Sequence, residues 1–309
     1  MKQSIITFAI LSLCISSLPS TSAQVTNLPC TFRNFEGFYE CFLTALIIPD
    51  NEITNYAFTG THLPGQSHAT VERLNIQGSR AYFIIRQAFT SFPNLRVYSF
   101  TAAVAGNTMR FQQDAFLNAS NLQQIVITGA GLNTIAPNSL AGAPNLQILN
   151  LQNNQIASLP HNLLDGATSL VHFNLMQNQL TEINQGFFSR NTNLTIINLN
   201  NNQLTNLPQI LLSQTRLLTQ FHAQSNQINA IGRRFLSNLD ALTTLSLLTN
   251  ACVSQNFVNI NPGNINLVHT ALQNCYNNYG GSAELRQYRM NLRGSMTLWR
   301  EDGSLVGTL

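Results

Sequence analysis

Five leucines, Leu146, Leu170, Leu194, Leu218 and Leu242, stand 24 residues apart without a slip. Apolar residues recur three and five places after them: Leu149 and Leu151, Phe173 and Leu175, Ile197 and Leu199, Leu245 and Leu247. The period begun at Leu218 keeps Phe221 and has Ala223 at the second place. Asparagine follows at the eighth place in all five, as Asn154, Asn178, Asn202, Asn226 and Asn250. A fixed period of this length marks a chain wound into stacked, similar coils, and it outranks any local propensity.

The residue types follow from the geometry of one coil. Residues at +3 and +5 alternate with those at +2, +4 and +6, so the two sets point to opposite faces of a short strand. One coil cannot bury its apolar face alone, and parallel stacking makes the core continuous. Apolar residues at +10 (Ile156, Leu180, Leu204, Ile228), +13 (Leu159, Ile183, Leu207, Ile231) and +18 (Leu164, Phe188, Leu212, Leu236) fill the convex side. Where the chain leaves the strand, backbone groups lose their ladder partners, and an Asn amide both donates and accepts there. The expected fold is an α/β solenoid, shaped like a horseshoe, with a parallel β-sheet on its concave face and disulfide-tied end caps.

A length of 309 residues would otherwise suggest two domains, but a solenoid has no single core to outgrow. Charged residues make up only 9% of the chain, and Lys2 is its sole lysine. So small and scattered a charge argues against nucleic acid as partner, which needs clustered positive charge.

Residues 1–23 begin with Lys2, continue with an apolar run from Ile5 to Ile15 and end in small residues at Ala23. They read as a secretory signal peptide, and no run is long enough for a membrane span. Removal of Cys14 with that segment leaves an even four cysteines. Stacking separates the two ends of the array, so the expected disulfides are Cys30–Cys41 and Cys252–Cys275. Residues 24–70 are then an N-terminal cap, with a hairpin turning at Glu36-Gly37 that covers the open end of the first coil. About eight repeats occupy 71–251, and 252–309 form a C-terminal cap and tail.

The first repeat places Leu74 and Ile76 inward, the second Tyr98 and Phe100, and the third starts after a 27-residue interval at Leu122. The extra residues are expected near Gly106 to Phe111. Ser79, Ala103 and Ala130 stand at the ladder place of these early coils, so their turns must be satisfied otherwise. Two N-x-S/T triplets make Asn118 and Asn193 candidate glycosylation sites. In the tail, Ser282 could cap a short helix, and 296–309 reads as a hairpin turning at Asp302-Gly303.

The pattern L-x-x-L-x-L-x-x-N-x-L with cysteine pairs at both ends resembles the extracellular leucine-rich-repeat proteins, a class that includes Toll-like receptor ectodomains and small proteoglycans. The C-x10-C hairpin before the repeats and the NACVSQNF…LQNC segment after them are more specifically similar to insect secreted leucine-rich immune proteins. The resemblance implies a binding protein of innate immunity. It implies the short kind, because this chain lacks the C-terminal coiled coil and partner-joining cysteine of members with a known immune complex.

The concave face is expected to carry Ile148, Asn150, Gln152, His172, Asn174, Met176, Ile196, Asn198, Asn200, Gln220, His222 and Gln224. None is Asp, Glu, Cys, Ser or Lys, so no acid/base pair or activated nucleophile can be assembled there. His172 and His222 stand two coils apart in different columns, too far to share a metal. No cofactor is expected. The expected function is non-catalytic recognition of an extracellular protein or pathogen-surface ligand by these twelve residues. A matrix or adhesion component is the alternative, and an enzyme the remoter one.

Overall fold

The computed structural model describes residues 25–49, 55–102, 106–281, 297–299 and 305–308. The proposed signal peptide and the tail helix expected from Ser282 lie outside these residues. The chain forms a β-solenoid, mostly sheet with few helices. Among the described residues its main sheet has twelve strands, eleven of which follow one another in chain order. They are β1 (Thr31–Phe35), β2 (Phe38–Thr44), β3 (Arg73–Ala81), β4 (Val97–Ala102), β5 (Gln124–Thr128), β6 (Ile148–Asn150), β7 (His172–Asn174), β8 (Ile196–Asn198), β9 (Gln220–His222), β10 (Thr244–Ser246) and β11 (Asn256–Val258). Pairing is parallel from β2 to β10 and antiparallel only at the two ends, β1–β2 and β10–β11.

The core is the set of columns expected from the period. Leu146, Leu149, Leu170, Leu175, Leu194, Ile197, Leu218, Phe221, Leu245 and Leu247 are all fully buried. Each such side chain contributes about 1.5–3 kcal/mol by leaving water. Two further columns that the pattern reading missed are buried as well. Position +17 holds Leu163, Phe187, Leu211 and Phe235, and position +21 holds Ala167, Asn191, Thr215 and Leu239. Phe188 packs edge-on against both Phe173 and Phe187, Phe187 lies tilted against Phe173, and Phe235 meets Phe221 edge-on.

The asparagine ladder closes each coil onto its predecessor. Asn178 Nδ2 donates to the carbonyls of Leu151 (2.9 Å) and Leu175 (3.0 Å), while its Oδ1 accepts the Ile156 N–H at 3.0 Å. Asn154, Asn202, Asn226 and Asn250 repeat that arrangement one coil at a time. The residue just before each ladder asparagine is left-handed: Asn153, Gln177, Asn201, Ser225 and Thr249 have φ of 54–58°. In the early coils Gly78 and Gly129 take that place at φ 58° and 62°, where a side chain would add strain. A second ladder stands one residue before the leucine that opens four of the coils. Asn94, Asn121, Asn145 and Asn193 each donate Nδ2 to a carbonyl of the preceding coil, those of Ala69, Pro93, Ser120 and Thr168.

The early coils satisfy their turns by single substitutes. Ser79 Oγ accepts the Leu46 N–H at 3.0 Å and donates to the Gln77 carbonyl at 2.9 Å. At Ala130 the neighbouring coils supply the partners: Asn154 Oδ1 accepts its N–H, and buried Asn107 donates to its carbonyl at 2.6 Å. Ala103 lies outside the described residues.

The hairpin turns at Glu36-Gly37, both with positive φ, and Cys30 and Cys41 are joined. It does more than cover the first coil: β2 pairs in parallel with β3, so the hairpin supplies two strands of the sheet. Val25–Pro29 also pairs with Asn55–Thr59, which the sequence reading did not foresee. At the other end Cys252–Cys275 ties the last turn to the helix Gln273–Gly281. That helix folds back across the convex side, where Asn278 Nδ2 donates to the Asn229 carbonyl and the Gln209 N–H reaches Tyr279 Oη. The tail strands Thr297–Trp299 and Leu305–Thr308 pair antiparallel, as the hairpin reading expects, and the turn between them is outside the described residues.

Candidate binding surface

Strand register aligns the outward residues of the sheet into rows that run its whole width. One row reads Arg33, Glu40, Arg73, Val97, Gln124, Ile148, His172, Ile196, Gln220, Thr244, Val258. The next reads Phe42, Asn75, Ser99, Val126, Asn150, Asn174, Asn198, His222, Ser246, Asn256. The twelve residues expected on this face stand beside one another in these rows and in the turns that follow. Eleven of them are half-buried, and Asn200 is buried.

A shallow depression of about 200 Å³ lies at the middle of the face, lined by Ile148, Asn150, His172, Asn174, Ile196 and Asn198 around Leu149 and Phe173. Its apolar members are surplus to the core, which the inward residues of the same strands already fill. The asparagines beside it have a structural duty that the sequence reading missed. Asn150, Asn174 and Asn198 accept through Oδ1 the N–H groups of Gln152, Met176 and Asn200, at 3.0–3.1 Å. They thereby satisfy the strand ends while their Nδ2 groups stay on the face. Asn174 Nδ2 reaches Gln152 Oε1 at 3.1 Å. Asn200 belongs to the frame, its Oδ1 accepting the Gln224 N–H at 2.8 Å.

His222 sits between Ser246 Oγ (3.1 Å) and Gln220 Oε1 (3.2 Å), and burial holds its pKa below the ordinary 6.5. Among the described residues, no group of three or more His, Cys, Asp or Glu could hold a metal ion. No helix among them is long and apolar enough to cross a membrane.

The N-terminal end of the same face differs in kind. Glu40 is fully buried and bonded to Arg33 Nε at 2.7 Å and Asn75 Nδ2 at 3.4 Å, with Arg73 Nη1 at 3.8 Å. Arg33 lies 3.9 Å over the Phe42 ring and Arg73 4.4 Å over Phe38. Arg73 also reaches Glu36, and Arg96 pairs with Glu72. Pattern reading could not find this cluster, because Glu40 meets Arg73 and Asn75 across gaps of 33 and 35 residues with no periodic cue. Exposed asparagines stand at both triplets, Asn118 and Asn193.

A family model, the BspA type leucine rich repeat region, matches in overlapping stretches at residues 31–154, 109–243 and 168–278. The chain belongs to this leucine-rich-repeat family. Members present repeated strands of this kind as a binding scaffold, and the coils described above account for the match. No curated protein matches the chain in sequence. Among solved structures it is similar to the LRIM1/APL1C complex, at TM-score 0.57 and 17% identity, covering 74% of this chain and 39% of that one. It is similar to the Drosophila Toll–Spatzle complex at TM-score 0.54 and 20% identity, covering 68% and 29%. The complex of TLR13 with ssRNA13 follows at TM-score 0.53 and 17% identity, covering 58% and 25%. The chain thus spans well under half the length of these structures, and at such identities the likeness is one of fold.

Proposed function

We propose that the protein is secreted and non-catalytic, and binds an extracellular protein or a pathogen-surface ligand through this face in innate immunity. The observation that carries this reading is the depression at Ile148, His172 and Ile196, an apolar anchor site on an uncharged part of the sheet. Apolar surface left outside the core of a soluble chain commonly marks a contact. The surrounding amides of Asn150, Asn174, Asn198, Gln152, Gln220 and Gln224, with Met176 and His222, form its polar rim. Export is supported by the residue types of 1–23 and by the two disulfides, which persist in oxidising compartments. On this reading residues 24–70 and 252–309 are caps to the repeats of 71–251, and Asn118 and Asn193 carry glycans.

Changing Ile148 and Ile196 together to Asp is expected to abolish crosslinked partner capture from extracellular fluid while leaving the melting temperature within a few degrees. A double variant that captures the same partners as the parent protein would move the site away from the middle of the sheet.

A further inference from the structure

His62 and His68 lie on the loop that joins Asn55–Thr59 to β3, outside the binding face. They are links in a hydrogen-bonded chain that begins and ends on backbone. The Leu63 N–H donates to Tyr39 Oη at 3.2 Å, Tyr39 Oη meets His62 Nδ1 at 2.9 Å, His62 Nε2 meets His68 Nδ1 at 2.8 Å, and His68 Nε2 meets the Phe58 carbonyl at 3.1 Å. A carbonyl can only accept, and that settles every proton in the chain. His68 must donate through Nε2, so neutral His68 accepts at Nδ1. His62 therefore donates through Nε2 and accepts at Nδ1, and the Tyr39 hydroxyl donates to it. The rings are held in place: Phe32 stacks on His62 at 3.8 Å, and Phe92 on His68 at 5.3 Å.

We propose that His62 and His68 form an acid-operated latch that holds this loop on the hairpin, keeping it through one protonation and releasing it at the second. A first proton has a place to go. At His62 Nδ1 it donates to Tyr39 Oη, whose own hydrogen turns away, and the rest of the chain keeps its polarity. A second proton has none. With both rings charged, N–H groups at His62 Nε2 and His68 Nδ1 and two positive rings oppose each other at hydrogen-bond distance. Release uncovers Phe32, Tyr39, Phe58 and Phe92, all buried against the loop and its neighbours.

No compensating charge faces the pair among the described residues. Arg33 and Glu40 alternate with Phe32 and Tyr39 along the hairpin and bond to each other. Glu72, at the end of the loop, pairs with Arg96. Cys30 and Cys41 are joined and do not titrate. Burial first, and the neighbouring His68 charge second, hold the His62 pKa below its ordinary 6.5. The folded state therefore binds fewer protons than the unfolded one as the pH drops, and the stability contributed by the latch, complete above about 6.5, is lost as the second proton is taken up at lower pH.

Hydrogen exchange of the full chain at about pH 7.5 and about pH 4.5, corrected for intrinsic rates, tests the latch across the histidine range. Amides bonded in the loop, those of Leu63 and Val71, are expected to lose about tenfold or more of their protection at the lower pH. Amides of the ladder coils are expected to keep theirs. His68→Gln leaves a single ring, so that no second proton enters the pair, and is expected to abolish the loop's pH response. A wild-type loop that stays protected, or a variant that responds as the wild type does, overturns the proposal. Should the variant not fold, imidazole NMR titration of the wild type decides. Release that follows the second of two resolved protonation steps supports the latch, and release that follows the first, or a single step, refutes it.

Discussion

The coils from Leu146 to Asn250 and the strands from Thr31 to Thr128 belong to one sheet, yet they satisfy its demands in different ways. In the later coils one residue type at one place does the work. Each ladder asparagine bonds to its own turn and to the coil before it, and each left-handed residue precedes it by one. In the earlier part the partners are individual: Ser79, Asn107, a buried Glu40 between two arginines, and aromatic packing of Phe89, Tyr98, Phe111 and Phe116. The repeated solution distributes stability over every coil, because each unit contacts only its neighbours. The individual solutions concentrate it in a few contacts. The same division runs along the outward face of the sheet, charged and aromatic at the hairpin end and uncharged with an apolar centre further on.

The comparison is broken most forcefully at Glu40. Glu40→Ala leaves Arg33 and Arg73 around an empty buried site and is expected to cost about 3–5 kcal/mol. Denaturant unfolding should register the loss, and hydrogen exchange should confine it to residues 31–102. Loosening that reached Leu146 to Asn250 equally would show that the two parts are one cooperative unit.

At the opposite end, Cys252→Ser opens a loop of 23 residues of separation and is expected to cost roughly 3 kcal/mol by loop entropy. It frees the helix Gln273–Gly281 from the last turn and is expected to expose Leu245 and Leu247 and to lower the yield of folded protein. Unchanged melting and yield would mean that Tyr279 and Asn278 hold that helix without the disulfide.

The smallest effects grade the ladders against each other. Asn178→Ala leaves the Leu151 and Leu175 carbonyls and the Ile156 N–H short of partners, at about 1–3 kcal/mol. Asn145→Ala removes one bond at an exposed edge and is expected to cost about 0.5–1.5 kcal/mol. Asn133→Ala, outside both ladders, should stay within about 0.5 kcal/mol. Thermal unfolding of the three variants, ranked in that order, sharpens the distinction between buried and exposed ladders, and equal values would erase it.

From the sequence alone came the coil length, the inward columns, the ladder asparagines, the two cysteine pairs and the identity of the residues facing outward in the regular coils. The columns and the ladder rest on period and alternation, which a parallel stack converts directly into position, and the cysteine pairs on the separation of its two ends. The sequence did not disclose what the +4 asparagines do on the face, because their bonds to the following N–H groups depend on how the strand ends. The second ladder at Asn94, Asn121, Asn145 and Asn193 is periodic too, but serine, leucine and alanine interrupt it at positions 169, 217 and 241. Only the tertiary structure decided that the hairpin joins the sheet and brings Arg33, Glu40 and Arg73 into line with Ile148, and that His62 meets His68 and Tyr39. Those contacts join residues across sequence gaps with no common period. Register and side-chain reach create them, and neither is written in the spacing of residue types.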